Sequence, residues 1–202
     1  FAFLIEADSK RIFYSGDFRA SGWKKSLFGR FIKNPPKNVN CLLMEGTTIE
    51  RQDSDFPDEP AVLSSIQKVL GKPETNVLLA YCSGQNIDRI VTFYKAVRHA
   101  KTTLIIDPYI ATVLHVLKNE RNTIPQLDWD HIKVLIGDYR GHGDIYINTI
   151  VKSNFKYLTF DIGRHKIKTW EVGREKCIVL MRDSMIPLIE RIQGIKDTTL
   201  IY

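Results

Sequence analysis

Two acidic residues each follow an apolar run and lie beside a glycine, the pattern that places a carboxylate at the end of a β-strand. Asp17 comes directly after Gly16, which ends the strand pattern of residues 12–14. Glu45 also neighbours a glycine and follows the apolar run of residues 39–44. Ligand sites in layered α/β folds gather beyond strand ends, and carboxylate oxygens suit divalent metal ions. The spacing therefore predicts a metal site, with the capping of two turns as the alternative.

The strands that must position these acids are predicted from apolar runs. Residues 3–5 and 12–14 are two such runs, joined by a polar turn at residues 7–10, so we expect an antiparallel hairpin. Gly16 permits a backbone path that a β-carbon would resist. Asp17 is thereby able to turn into a cleft.

From residue 76 onward, strand-length apolar runs alternate with helical patterns. Strands are predicted at residues 77–81, 103–106, 132–136, 157–160, 176–181 and 198–201, and helices at residues 87–100, 107–119 and 184–193, with another ending near residue 153. A further helix follows Asp58, which is placed to cap it. Repeated strand–helix–strand units of this length predict an α/β fold with a mostly parallel sheet covered by helices on both faces.

A second candidate site is the turn that precedes the helix at residues 87–100. Ser83, Gln85 and Asn86 bring short polar groups to a helix N-terminus, where anions are favoured, and Arg89 lies one turn into the helix. These four residues are predicted phosphate contacts. Plain capping by Asn86, with Arg89 on the surface or paired, is the alternative.

Charge and composition restrict the partners. The 202 residues carry a net charge of +6, with a pI near 9.2, which is compatible with a phosphate-bearing partner. Arg164, Lys166 and Lys168 alternate and would share one strand face, interpreted as ordinary exposed surface or as a small phosphate-binding stripe. No run approaches the ~18 apolar residues of a membrane span, so no membrane partner is expected.

Three cysteines lie within or at the end of apolar strand runs. They are Cys41, Cys82 and Cys177. Their wide spacing predicts buried free thiols in a reducing, cytoplasmic compartment.

Two motifs, taken together, resemble a known family. Residues 14–19, Tyr-Ser-Gly-Asp-Phe-Arg, and residues 42–48, Leu-Leu-Met-Glu-Gly-Thr-Thr, are similar to motifs of the metallo-β-lactamase-fold nucleases of the β-CASP group, which includes ribonuclease J. The resemblance implies a partial metallo-β-lactamase region at residues 1–50 and a β-CASP-like α/β domain at residues 51–202.

The same resemblance implies roles for individual residues. Asp17 would bridge two zinc ions, and Glu45 would border the active site as a catalytic residue. Thr47 and Thr48 would hydrogen-bond near the substrate phosphate. The implied activity is zinc-dependent RNA processing in the cytoplasm, in which a metal-activated water cleaves phosphodiester bonds of RNA or single-stranded nucleic acid.

The chain departs from the family in its histidines. The family's His-x-His-x-Asp-His run is absent, and the five histidines here have other spacings. Because the chain opens at Phe1 and stops at Tyr202 inside apolar runs, we expect an excised piece that is inactive alone. A small-molecule metallo-hydrolase of the same fold and a non-catalytic nucleic-acid-binding α/β module are the alternatives. Exonuclease or endonuclease action and a homodimer are left open.

Overall fold

The computed structural model describes residues 2–16, 21–46, 57–118, 123–136, 165–192, 195 and 198–201. The chain divides into two compact units, Phe1–Ala61 and Val62–Tyr202. Three predicted site residues, Asp17, Thr47 and Thr48, lie outside the described residues. So do the strand predicted at residues 157–160 and the helix predicted to end near residue 153.

The first unit is built on a three-stranded sheet. Strands β1 (Phe3–Ala7) and β2 (Lys10–Tyr14) form the predicted antiparallel hairpin. Its two central turn residues, Asp8 and Ser9, both have positive φ, as the tight hairpin turn that matches strand twist requires. Strand β3 (Cys41–Leu43) pairs with β2 in parallel. The sheet order is therefore β1-β2-β3.

One face of this sheet packs against helix α1 (Lys25–Lys33). The Phe31 ring stacks on the Phe13 ring with centroids 5.5 Å apart, and Phe13 is buried. On the other face, Ile12 pairs with Cys41, which is exposed. The prediction of a buried thiol is wrong for Cys41, because every residue of the short strand β3 is exposed, and Cys82 is only half-buried. Cys177 is buried, as predicted.

The second unit contains a parallel sheet of six strands. They are β4 (Val77–Tyr81), β5 (Thr103–Ile106), β6 (Ile132–Leu135), β7 (Lys166–Ile167), β8 (Cys177–Met181) and β9 (Thr199–Ile201). Their order is β7-β6-β5-β8-β4-β9, and every described pair is parallel. The predicted α/β class with a mostly parallel sheet is confirmed.

Alternate residues of these strands face two separate apolar cores. Leu78 and Ala80 face the core that includes residues of helices α2 (Glu59–Leu70), α3 (Ile87–Ala100) and α4 (Pro108–Val116). The neighbouring residues Val77 and Leu79 face the opposite core, which includes Leu188 and Ile189. Both faces of the sheet are therefore covered.

The helix predicted at residues 184–193 is shorter than expected. A 3₁₀ turn at Asp183–Met185 precedes the four-residue helix α5 (Ile186–Ile189). Pro187 lies in the first turn of α5, where its missing N–H costs nothing, but the ring would clash with a preceding helical turn. The helix therefore begins just before the proline.

Candidate functional site

The two strands that precede the predicted acids end at one edge of the first sheet. Because β2 and β3 are parallel, their carboxyl ends meet at one edge, where the Ser15 N–H donates to the Leu43 carbonyl at 3.0 Å. Gly16 has a φ of 59°, a left-handed conformation that suits glycine. Glu45, half-buried, lies two residues beyond the end of β3. Thus Gly16, which precedes Asp17 in sequence, and Glu45 follow neighbouring strands at the same edge.

A zinc site is not complete in the described part of the chain. Across the described ranges, no cluster of three or more His, Cys, Asp or Glu side chains is arranged to hold a metal ion. Zinc in proteins is usually held by three or four protein ligands. The described residues alone therefore do not fit zinc, and Asp17, the predicted bridging ligand, lies outside them.

In the second unit, the four predicted phosphate contacts lie together after β4. The Asn86 Oδ1 accepts the Arg89 N–H at 3.2 Å, which is the capping hydrogen bond given above as the alternative to a phosphate contact. The Ser83 Oγ accepts the Gln85 N–H at 3.3 Å, which orders the turn. Ser83 and Gln85 are exposed, while Asn86 and Arg89 are half-buried. The turn thus presents polar groups to solvent at the start of a fourteen-residue helix.

An ion pair between a buried carboxylate and a half-buried arginine lies at the ends of the two neighbouring strands, β5 and β8. Asp107 is only 1% exposed, and its Oδ1 caps α4 by accepting the Ile110 N–H at 2.7 Å. Its Oδ2 accepts from the Arg182 Nε at 2.7 Å and lies 2.5 Å from the Arg182 Nη2. Asp107 therefore caps a helix and also holds an arginine at the edge of the sheet.

Tyr109 connects this ion pair to the turn after β4. The Arg182 guanidinium carbon lies 4.7 Å from the centre of the Tyr109 ring, within cation–π range. The Gln85 side-chain amide donates to the Tyr109 hydroxyl at 2.9 Å. A β-carbon on Gly84 would lie only 2.9 Å from Ile110 Cγ1 and 3.0 Å from the Tyr109 ring. The turn is therefore packed closely on the first turn of α4.

Two members of this arrangement, Tyr109 and Arg182, were not predicted as site residues. Arg182 directly follows a strand run, which is the signal that singled out Asp17. Its contacts, however, depend on β8 lying between β4 and β5. That strand order is not visible in the spacing of residues along the chain.

The two groups of predicted site residues belong to different units of the chain. Glu45 lies in the first unit, and the turn from Ser83 to Arg89 lies in the second. None of the helices in the described ranges has the length and apolar character needed to cross a membrane. Comparison with protein-family models, with curated proteins and with solved structures found no match to this chain.

Proposed function

We propose that this chain is part of a cytoplasmic, zinc-dependent RNA-processing hydrolase of the β-CASP group. Asp17 is the metal-bridging ligand and Glu45 is the catalytic residue at the border of the site. Thr47 and Thr48 contact the substrate phosphate. The observation that carries the proposal is the parallel pairing of β2 with β3, by which the two strands that precede Asp17 and Glu45 end at one edge.

The left-handed Gly16 supports the same assignment. Asp17 follows a residue with a φ of 59°, so the backbone departs sharply from the path of β2 just before the acid. A strand that simply continued would instead alternate its side chains between the two faces of the sheet. A glycine at position 16 is therefore explained by the left-handed backbone conformation found there.

The turn after β4 supports the RNA part of the proposal. Ser83, Gln85, Asn86 and Arg89 combine hydrogen-bond donors, a helix N-terminus and a cation, which is a favourable arrangement for a phosphate. The hydrogen bond from Gln85 to Tyr109 orders an exposed side chain before any ligand binds. Less conformational entropy is then lost on binding.

The metal requirement places a condition on the proposal. Because the described residues do not complete a zinc site, the remaining ligands must come from residues outside the described ranges or from the rest of the parent protein. Because the sequence lacks the His-x-His-x-Asp-His run of the family it resembles, we expect the chain by itself to bind RNA but not to cleave it.

The test is RNA cleavage by the intact parent protein carrying Asp17→Ala or Glu45→Gln. We expect each variant to lower kcat/KM roughly 100-fold or more. Asp128→Asn is the matched control, because Asp128 is an exposed acid that pairs at the surface with Lys118 at 3.4 Å. If Asp17→Ala cleaves RNA as fast as the control, Asp17 has no part in the mechanism and the proposal fails.

A further inference from the structure

Trp170, an exposed tryptophan in cation–π contact with Lys168, lies on the second unit and apart from the turn after β4. Trp170 is 49% exposed, which is unusual for the largest apolar side chain. The Lys168 ammonium lies 4.7 Å from the centre of its indole ring, in cation–π contact. An aromatic ring beside a cation is the pairing with which proteins bind single-stranded nucleic acid.

The backbone that carries Trp170 is ordered. The residue sits in a 3₁₀ turn, Thr169–Glu171, in which the Lys168 N–H donates to Glu171 Oε2 at 2.8 Å and the Glu171 N–H donates to the Lys168 carbonyl at 2.9 Å. Thr169 and Val172, on either side, are buried. The turn is therefore anchored to the core while the indole faces solvent, so little entropy is lost when a ligand stacks on it.

Charge around the indole favours an anionic ligand. Lys166, on β7, and Lys168, directly after that strand, are both exposed. The Glu171 carboxylate is already engaged as the acceptor for the Lys168 backbone. Within the described segment 166–170, both charged side chains are therefore cations, which suits a phosphate.

The strand order of the sheet relates the turn at residues 169–171 to the predicted phosphate contacts after β4. Strands β7, β6, β5, β8 and β4 are adjacent and parallel, so the turns that follow β7 and β4 leave the sheet at the same edge. The Ile136 N–H donates to the Ile167 carbonyl at 2.9 Å, which fixes the end of β7 at that edge. Four steps between strands, each about 4.8 Å, separate the carboxyl ends of β7 and β4 by roughly 19 Å.

We propose that Trp170 and Lys168 form a second contact for single-stranded RNA, in which the indole stacks on a base and the ammonium meets the adjoining phosphate. One RNA strand spans this pair and the turn from Ser83 to Arg89. At about 3.4 Å or more per nucleotide, an octanucleotide reaches both contacts and a dinucleotide does not. The inference rests on the proposed function for the identity of the ligand as RNA.

The experiment measures binding of 5′-labelled oligouridylates of two and eight nucleotides to the full chain by fluorescence anisotropy. Trp170→Leu keeps an apolar side chain but removes the ring, and it should weaken octanucleotide binding about fivefold or more. Trp170→Phe should restore most of the affinity. Lys168→Gln should lower the steepness of the salt dependence, whereas Lys101→Gln, an exposed lysine at the opposite edge, should not.

The outcomes separate this inference from the proposed function. Loss of octanucleotide affinity in Trp170→Leu, with dinucleotide affinity unchanged, supports the second contact. If Arg89→Gln weakens binding but Trp170→Leu does not, the inference is wrong and the proposed phosphate turn stands. If Trp170→Leu weakens binding but Arg89→Gln does not, the phosphate turn is wrong and the inference stands. Absence of binding to either oligonucleotide overturns both.

Discussion

At the scale of single residues, Gly16 is the position on which the acidic edge depends most directly. Its φ of 59° costs an L-residue roughly 1–2 kcal/mol. We expect Gly16→Ala to lower the free energy of unfolding by about 1 kcal/mol in urea denaturation. It should also lower the rate of RNA cleavage by the parent protein, because a changed backbone conformation at position 16 would redirect the chain that leads to Asp17.

Gly29 provides the matched control for that substitution. It lies inside α1, where an added β-carbon meets nothing within 4 Å. Gly29→Ala should therefore leave stability unchanged or raise it by about 0.5–1 kcal/mol. Equal effects of the two substitutions would contradict the assigned role of the Gly16 conformation.

The cysteines offer a second prediction at this scale. Burial raises the pKa of the Cys177 thiol to about 11, so at pH 8 this thiol is almost entirely protonated, and it is also shielded from reagents. Cys41 is exposed. Because the thiolate is the reactive form, a maleimide at pH 8 should label Cys41 in the native protein far faster than Cys177.

Mass spectrometry of peptides at increasing labelling times measures these two rates. In denaturant both cysteines should react at similar rates, which controls for local sequence. Fast native labelling of Cys177 would show that β8 is not buried in the core as described.

At the scale of elements, the first turn of α4 supports the turn after β4. Asp107 is 1% exposed, and the Arg182 side chain is 27% exposed. Removing the arginine would leave a buried carboxylate without its cation, which typically costs 3–5 kcal/mol. We expect Arg182→Met to lower the free energy of unfolding by about 3 kcal/mol in urea denaturation.

The double variant Asp107→Asn with Arg182→Met distinguishes loss of the ion pair from loss of packing. It removes the unpaired charge while keeping an oxygen that can cap α4. We expect it to be more stable than Arg182→Met alone. The contradicting result is a loss of unfolding free energy, relative to the wild type, that equals the sum of the losses in Asp107→Asn and Arg182→Met. The two side chains would then contribute independently, and the ion pair would not stabilise this edge of the sheet.

At the scale of the whole molecule, periodicity predicted most elements of the second unit because strand and helix patterns there are strong. The runs at residues 77–81 and 103–106 became β4 and β5, and Asn86 caps α3, as the alternative interpretation of that turn proposed. Pro187 shortened the last helix, since a proline in the first turn prevents the helix from extending toward residue 184.

The candidate site was predictable only where local sequence determines it. Gly16 and Glu45 follow their strands, and Asn86 caps α3, so each could be assigned from its immediate neighbours. Arg182 could not, because its partner Asp107 lies 75 positions away and meets it only through the insertion of β8 between β4 and β5. The exposure of Trp170 likewise depends on packing that a period-two or period-3.6 pattern does not report.

We propose above that Asp17 holds a catalytic zinc ion in an RNA hydrolase. The most direct measurement is the zinc content of the purified parent protein and of its Asp17→Asn variant, determined by elemental mass spectrometry, together with RNA cleavage before and after chelation. We predict that Asp17→Asn lowers bound zinc and cleavage together, and that zinc restores cleavage only to the chelated wild type. Full zinc binding and full cleavage in Asp17→Asn would contradict the account.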